Sequence, residues 1–154
     1  MKQTTILHFE SAYATDFATL NYEWLRKYFV IEPHDTEMLE NPETYIINKG
    51  GDILFAKLNN EIVGTVALIK IKDNYFELAK MAVTETYQDQ KIGKQLLEAA
   101  IAYAKKQHIT TLMLESNRTL TAALHLYKKY GFNEVPTDPN SPYERADIKM
   151  ELHL

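Results

Sequence analysis

Residues 83–97, VTETYQDQKIGKQLL, change character midway. The end of an apolar strand gives way to a polar loop holding Gln88, Asp89, Gln90, Lys91, Gly93 and Lys94. Leu96-Leu97 then begin an apolar helical face. The first amides of a helix have no partner within it and sit at the positive end of its dipole. A helix start of this kind is a phosphate site. Gly93 lets a phosphate approach the backbone, and Lys91 and Lys94 add positive charge. The G-x-x-x-x-G-K-[ST] spacing of a nucleotide loop is missing, and a single glycine makes no dinucleotide fingerprint. The same residues also suit a solvated turn, and the loop alone does not separate the two readings.

Composition narrows the remaining chemistry. A chain of 154 residues with 45% apolar and 25% charged residues reads as one ordinary globular domain. The formal charge of -4 offers no clustered cations for nucleic acid. The absence of Cys removes disulfides, thiolate metal sites and cysteine nucleophiles. His8, His34, His108, His125 and His153 are scattered with no i, i+4 pair, so no metal is expected. There is no G-x-S-x-G elbow for a serine hydrolase. MKQTTILHFE has no signal-peptide run and no segment is long enough to span a bilayer, so a cytoplasmic protein is expected. Ten tyrosines and one tryptophan suggest aromatics lining a pocket as well as filling a core.

The elements that must position the loop follow from apolar spacing. Thr4 to Phe9 reads as a strand, and Ser11 or Asp16 can cap a helix carrying Phe17, Leu20, Trp24, Leu25 and Tyr28. A shorter helix is expected from Asp35, and a further turn from Pro42 to Ile47. Three strands follow, 52–58, 62–72 and 75–83. The Asn59-Asn60 and Asp73-Asn74 turns between them make an antiparallel meander. After the loop come a helix to about Gln107 and a central apolar strand over 110–115. A helix over 119–130 ends at Gly131, and strands follow at 132–135 and 146–154. This is a mixed-sheet α/β domain.

Taken together, the segments resemble the GCN5-related N-acetyltransferase (GNAT) family. Gln88-Asp89-Gln90-Lys91-Ile92-Gly93, after Met81-Ala82-Val83, is similar to the family's Gln/Arg-x-x-Gly-x-Gly/Ala loop. Ala123-Leu124-His125-Leu126-Tyr127-Lys128-Lys129-Tyr130-Gly131-Phe132 resembles its A-x-x-L-Y-x-x-x-G-F segment. The resemblance implies a single domain over 1–154, with about seven strands and about four helices. It also implies transfer of an acetyl group from acetyl-CoA to a primary amine of a small molecule or peptide. A non-catalytic acyl-CoA sensor of the same shape is the alternative. Met81, Ala82, Val83 and residues Gln88 through Lys94 would hold the cofactor, with Asn117 near its pantetheine arm. Lys91 stands at the family's first glycine position, so ordinary helical dihedrals are expected there. A homodimer through sheet edges is part of the implication.

Acetyl transfer requires a neutral amine, and a lysine-like amine with pKa about 10.4 is neutral in only about one molecule in a few thousand at pH 7. Glu77 is the candidate base, or merely the solvent side of its strand. Glu115 is the second candidate, or a strand-end cap. The resemblance places Tyr127 near the thioester sulfur as general acid, and it also fits a packed aromatic on its helix. A backbone N–H near Ala82 would serve the oxyanion. The acceptor is expected among Trp24, Phe29, Glu32, Tyr143 and Arg145. Glu32 and Asp35 would attract a cationic amine and Arg145 would hold a carboxylate.

Overall fold

In the computed structural model, residues 4–154 are described. The first three residues of the expected 1–154 domain lie outside the described residues, as do the side chains of Asp89 and Gln90 in the expected cofactor loop. Asn turns shape the sheet. β1 (Thr5–His8) pairs antiparallel with β2 (Asp52–Leu58), and β2 with β3 (Glu61–Lys72). β3 pairs antiparallel in turn with β4 (Tyr75–Val83). Asn59, Asn60 and Asn74 take φ of 53°, 63° and 65°, the left-handed region that Asn tolerates better than most residues. The expected meander is therefore observed, within one residue at its boundaries.

β5 (Thr111–Ser116), β6 (Asn133–Val135) and β7 (Ile148–His153) complete the seven-stranded sheet, ordered β1-β2-β3-β4-β5-β7-β6. The β4–β5 contact is parallel and short, spanning Tyr75↔Thr111 to Glu77↔Met113. Both faces of the sheet are covered, so β2 and β3 read as nearly continuous apolar runs. α1 (Ala14–Tyr28) and α2 (Pro33–Glu40) cover one face with Phe17, Leu25 and Leu39 against Ile53, Phe55 and Ala67. α3 (Ile92–Lys106) and α4 (Thr121–Lys129) cover the other with Leu96, Leu97 and Leu124 against Leu54, Val66 and Leu112.

Two helix starts differ from expectation. α1 follows a 3-10 turn, Ser11–Tyr13, and its N-cap is Tyr13, with no side-chain hydrogen bond. The Ser11 hydroxyl instead donates to Glu43 Oε1 at 2.9 Å, tying the turn to the π-helical turn Glu43–Ile47. α2 starts two residues before Asp35, at Pro33, whose fixed φ suits the first helical position. The end of α4 behaves as the sequence requires. Gly131 has φ 101°, Phe132 N–H donates to Tyr127 C=O, and the Phe132 side chain is buried.

Gly51 lies where the backbone passes close to β3, and a Cβ there would collide with the Leu68 carbonyl oxygen and press on Ile46. A Cβ at Gly93 meets nothing within 4 Å. In urea unfolding, Gly51→Ala is expected to lose about 2 kcal/mol, whereas Gly93→Ala should keep the wild-type midpoint.

Candidate active site

Pairing between β4 and β5 stops at Glu77↔Met113. Beyond it, Leu78–Val83 and residues 114–117 line a cleft of about 520 Å³, closed by α1, α4 and the segment around Tyr143 and Arg145. The volume suits a small-molecule site.

An irregularity in β4 shapes the floor. Thr65 faces Ala82 and Ala67 faces Ala79, so Lys80 and Met81 together oppose Val66. Lys80 takes φ 55°. Phe76 and Leu78 pack toward α3 before this bulge, and Met81 and Val83 do so after it. Strict alternation would have driven Lys80 into that apolar core. The extra residue turns it the other way.

One end of the cleft is the start of α3. Among the described residues, its first helical hydrogen bond runs from Gln95 N–H to Lys91 C=O at 3.1 Å, and the amides of Ile92, Gly93 and Lys94 have no acceptor there. No described side chain caps them. Gly93 lines the cleft and its missing Cβ leaves open space. Lys91 is left-handed, with φ 59° and ψ 26°, which corrects the expectation of helical dihedrals. Lys91 is at once the C-cap of the 3-10 turn Glu85–Gln90 and the N-cap of α3, and its left-handed backbone makes the reversal between them. That backbone costs a non-glycine residue about 1 kcal/mol. Ile92 is wholly buried, main chain included, and does not line the cleft, and Lys91 is exposed. Met81, Ala82, Val83 and Gln88 line the cleft, and Gln88 Nε2 donates to Val83 C=O at 3.3 Å. Asn117 lines it too, with its amide donating to Arg145 C=O at 2.7 Å and its Oδ1 accepting the Thr119 N–H at 2.9 Å.

The acid–base candidates meet in the middle. Glu77 and Glu115 both line the cleft, and the parallel register sets Glu115 two residues beyond Glu77's neighbour Met113 on the same face. Burial first, and then the nearby Glu115 charge, raise Glu77 to about 7, against the pull of Lys80 and Lys149. Glu115 accepts a hydrogen bond from Ser141 Oγ at 2.5 Å. Tyr127, on α4, lines the same cleft with its ring 5.8 Å from that of Phe132. Burial pushes its phenol up to about 12.

The acceptor candidates divide. Trp24, Phe29, Tyr143 and Arg145 line the cleft. Glu32 does not, because its carboxylate accepts from Arg145 Nη1 at 3.0 Å and from the Glu144 N–H at 2.9 Å. Asp35, fully buried, accepts from both Arg145 nitrogens (2.8 and 2.6 Å), from Lys80 Nζ (2.5 Å) and from the Glu32 N–H (2.9 Å). Lys80 Nζ also donates to the Tyr143 hydroxyl at 2.8 Å. Burial alone would raise Asp35, but the hydrogen bonds from Arg145 and Lys80 outweigh it and hold the carboxyl at about 2. The sequence reading gave Lys80 no role. Its signal was the change in apolar parity between Leu78 and Met81.

Comparison with known proteins places these features in a family. The Acetyltransferase (GNAT) family profile matches residues 18–132. An N-acetyltransferase 8B of Rattus norvegicus is 26% identical over 113 residues, 70% of this chain and 51% of that protein, so the chain spans about half of its length. An uncharacterized N-acetyltransferase, YvbK, of Bacillus subtilis (strain 168) is 31% identical over 104 residues, covering 66% of this chain and 67% of that one. Among solved structures, an acetyltransferase of the GNAT family from Staphylococcus aureus Mu50 superposes with TM-score 0.86 and 26% identity, over 98% of this chain and 99% of that one. The PaiA N-acetyltransferase of Thermoplasma acidophilum, solved in complex with coenzyme A, superposes with TM-score 0.75 and 22% identity over 99% of each chain.

Asp35→Asn leaves Lys80 and Arg145 in place with, among the described residues, one carboxylate, Glu32, in direct contact with either. Breaking such a buried pair is expected to cost about 3–5 kcal/mol. Because the folded pKa lies below the unfolded value of about 3.9, Asp35 contributes fully above that value and loses its contribution as pH falls toward about 2. Thermal melts between pH 2 and 7 should therefore show a steeper acid loss in the wild type than in Asp35→Asn.

Proposed function

Since the chain belongs to the acetyltransferase (GNAT) family, we propose that it moves an acetyl group from acetyl-CoA to a primary amine of a small molecule or peptide, directly within a ternary complex. The observation that carries this reading is one continuous cleft. The open Gly93 at the start of α3, where the first amides have no acceptor among the described residues, lines the same cleft as Glu77 and Tyr127. The donor set fits the group, because main-chain N–H donors at a helix N-terminus suit a diphosphate. The Thermoplasma acidophilum relative solved with coenzyme A supports the same assignment.

In this reading the main chain from Gln88 to Lys94 holds the diphosphate, and Met81, Ala82, Val83 and Asn117 flank the pantetheine arm. Acetyl-CoA supplies the activated acyl carbon, where a C–N bond forms and the C–S bond breaks. Glu77 takes the amine's proton, which its raised pKa equips it to do near neutrality. A backbone N–H near Ala82 faces the negative charge that develops on the acyl oxygen. The Tyr127 hydroxyl donates a hydrogen bond to the departing sulfur. With a phenol near 12 and a thiol of ordinary pKa about 8.5, complete proton transfer runs uphill, so the proton the thiolate finally takes comes from solvent. Trp24, Phe29, Tyr143 and Arg145 form the acceptor wall, with Glu32 holding Arg145 in place.

Cytoplasmic residence and pairing through a free sheet edge, β1 or β6, belong to the same proposal. Among the described residues, no helix is long and apolar enough to cross a membrane. Nor is any group of three His, Cys, Asp or Glu arranged to hold a metal.

Acetyl-CoA at one hundred times its Kd should stabilise the protein by about 2.7 kcal/mol. Gly93→Val, which fills the open approach, should weaken that binding about tenfold or more, as read by calorimetry. A wild-type protein that acetyl-CoA does not stabilise removes the assignment.

Followed by thiol release, kcat should rise with pH through about 7 as Glu77 loses its proton. Glu77→Gln should remove that inflection and lower kcat by about 10²–10⁴. Tyr127→Phe should lower kcat while keeping both the inflection and acetyl-CoA affinity. Tight acetyl-CoA binding with no thiol release from any amine would instead identify a binding module.

A further inference from the structure

The charge arrangement on the acceptor side selects a class of amine, an inference that rests on the acetyl-transfer reading. Among the described residues, four charged ones line the cleft: Glu77, Lys80, Glu115 and Arg145. Both cations are already committed. Lys80 gives hydrogen bonds to Asp35 and Tyr143, and Arg145 gives them to Asp35 and Glu32. Asp35 is fully buried behind them, so its charge compensates theirs and faces no ligand. The sequence had suggested Arg145 as a carboxylate holder. Here an incoming carboxylate would have to compete with Asp35 and Glu32, each already in hydrogen-bonded contact with that guanidinium.

The two acids differ in this respect. Glu77, half-buried and lining the cleft, has no hydrogen-bond partner among the described residues. Glu115 holds only the Ser141 hydroxyl, a neutral donor. Lys149 lies across from Glu115 in the β5–β7 register, but it neither lines the cleft nor forms an ion pair there. Glu151, on the same face, is occupied by the Tyr75 hydroxyl at 2.8 Å. Lys80 and Lys149 act on Glu77 at a distance, but neither acid has an ion-pair partner among the described residues, so the charge open to a ligand in the cleft is negative. It faces an aromatic wall of Trp24, Tyr28, Phe29 and Tyr143, a surface that favours cations and alkyl chains together.

We propose that the acceptor is a short aliphatic diamine with no carboxylate. Its reacting nitrogen lies at Glu77, and its second, still protonated nitrogen is held by Glu115. The two acids are offset by about 6.6 Å along the strands and about 4.8 Å across them, about 8 Å between their Cα atoms, which a short alkyl diamine held between the carboxylates bridges. In the transfer, the reacting ammonium gives one proton to Glu77, its nitrogen forms the amide bond as the C–S bond breaks, and the nitrogen's remaining surplus proton leaves to solvent. The second ammonium is unchanged, so the product is a monoacetylated monocation.

Three acceptors of equal chain length separate the charge classes. With wild-type protein, acetyl-CoA and thiol release, 1,4-diaminobutane is expected to exceed butylamine in kcat/KM by about tenfold or more. It should exceed 4-aminobutanoate by a wider margin. Glu115→Gln should collapse the diamine-to-butylamine ratio of KM values toward one, a change in selectivity that a general loss of folding does not produce. If 4-aminobutanoate equals or surpasses the diamine, or Glu115→Gln keeps the diamine's advantage, the proposal is overturned. If none of the three reacts while another amine releases thiol, the diamine inference falls and acetyl transfer stands. If acetyl-CoA binds and no amine of any class releases thiol, both fall.

Discussion

A lysine cannot lie in an apolar core, and the structure resolves that constraint with one extra residue in β4. On strict alternation Lys80 would fall on the face that Phe76 and Leu78 bury against α3, where an ammonium would lose its hydration without a partner. The left-handed backbone at Lys80 turns its side chain to the opposite face, onto Asp35. The same step carries Met81 and Val83 into the core that Lys80 vacates. β4 thus keeps its apolar contact with α3 while its second half follows a different course from β5, whose pairing has already ended at Met113. The cleft is the space between those two courses.

Asp35 links three segments distant in sequence: the α1–α2 connection, the β4 bulge, and the loop between β6 and β7 that carries Tyr143 and Arg145. The first gives the Glu32 N–H and carboxylate, the second the Lys80 ammonium, and the third the Arg145 guanidinium and the Tyr143 hydroxyl. Buried ion pairs often add little net stability over apolar packing, since desolvation offsets attraction. Their value here is geometric. Three donors converge on one carboxylate, so the walls of the cleft hold one arrangement with respect to its floor. Neutralising Lys80 and Arg145 in the same place also leaves Glu77 and Glu115 to set the sign of the cleft.

Local rules made much of this molecule legible in its sequence. Asn59-Asn60 and Asn74 announced left-handed turns, Gly131 a helix end, and the apolar spacing of Ile92, Leu96 and Ala100 a buried helical face. Each depends on neighbours within a few residues. The helix starts were less legible because competing partners lie far along the chain. Ser11 had a cap-like position, but Glu43 takes its hydroxyl. Asp35 looked like an acid that would attract a cationic amine, and its partners are 45 and 110 residues away within the chain. Pairing across such distances depends on the sheet order, which local pattern does not state. The bulge was the exception, written in the shift of apolar positions from 76 and 78 to 81 and 83.

The loop that first drew attention shows how one missing glycine is absorbed. A tight entry to α3 needs two things that glycine usually supplies: a left-handed residue and an uncrowded backbone for a ligand to approach. Here they sit on different residues. Lys91 takes the left-handed dihedrals, and its exposed side chain loses no hydration in doing so. Gly93, already helical, keeps no strained dihedral and supplies only the open space. The strain of about 1 kcal/mol therefore falls on the residue that does not line the cleft, and the residue that does is left free of both strain and bulk.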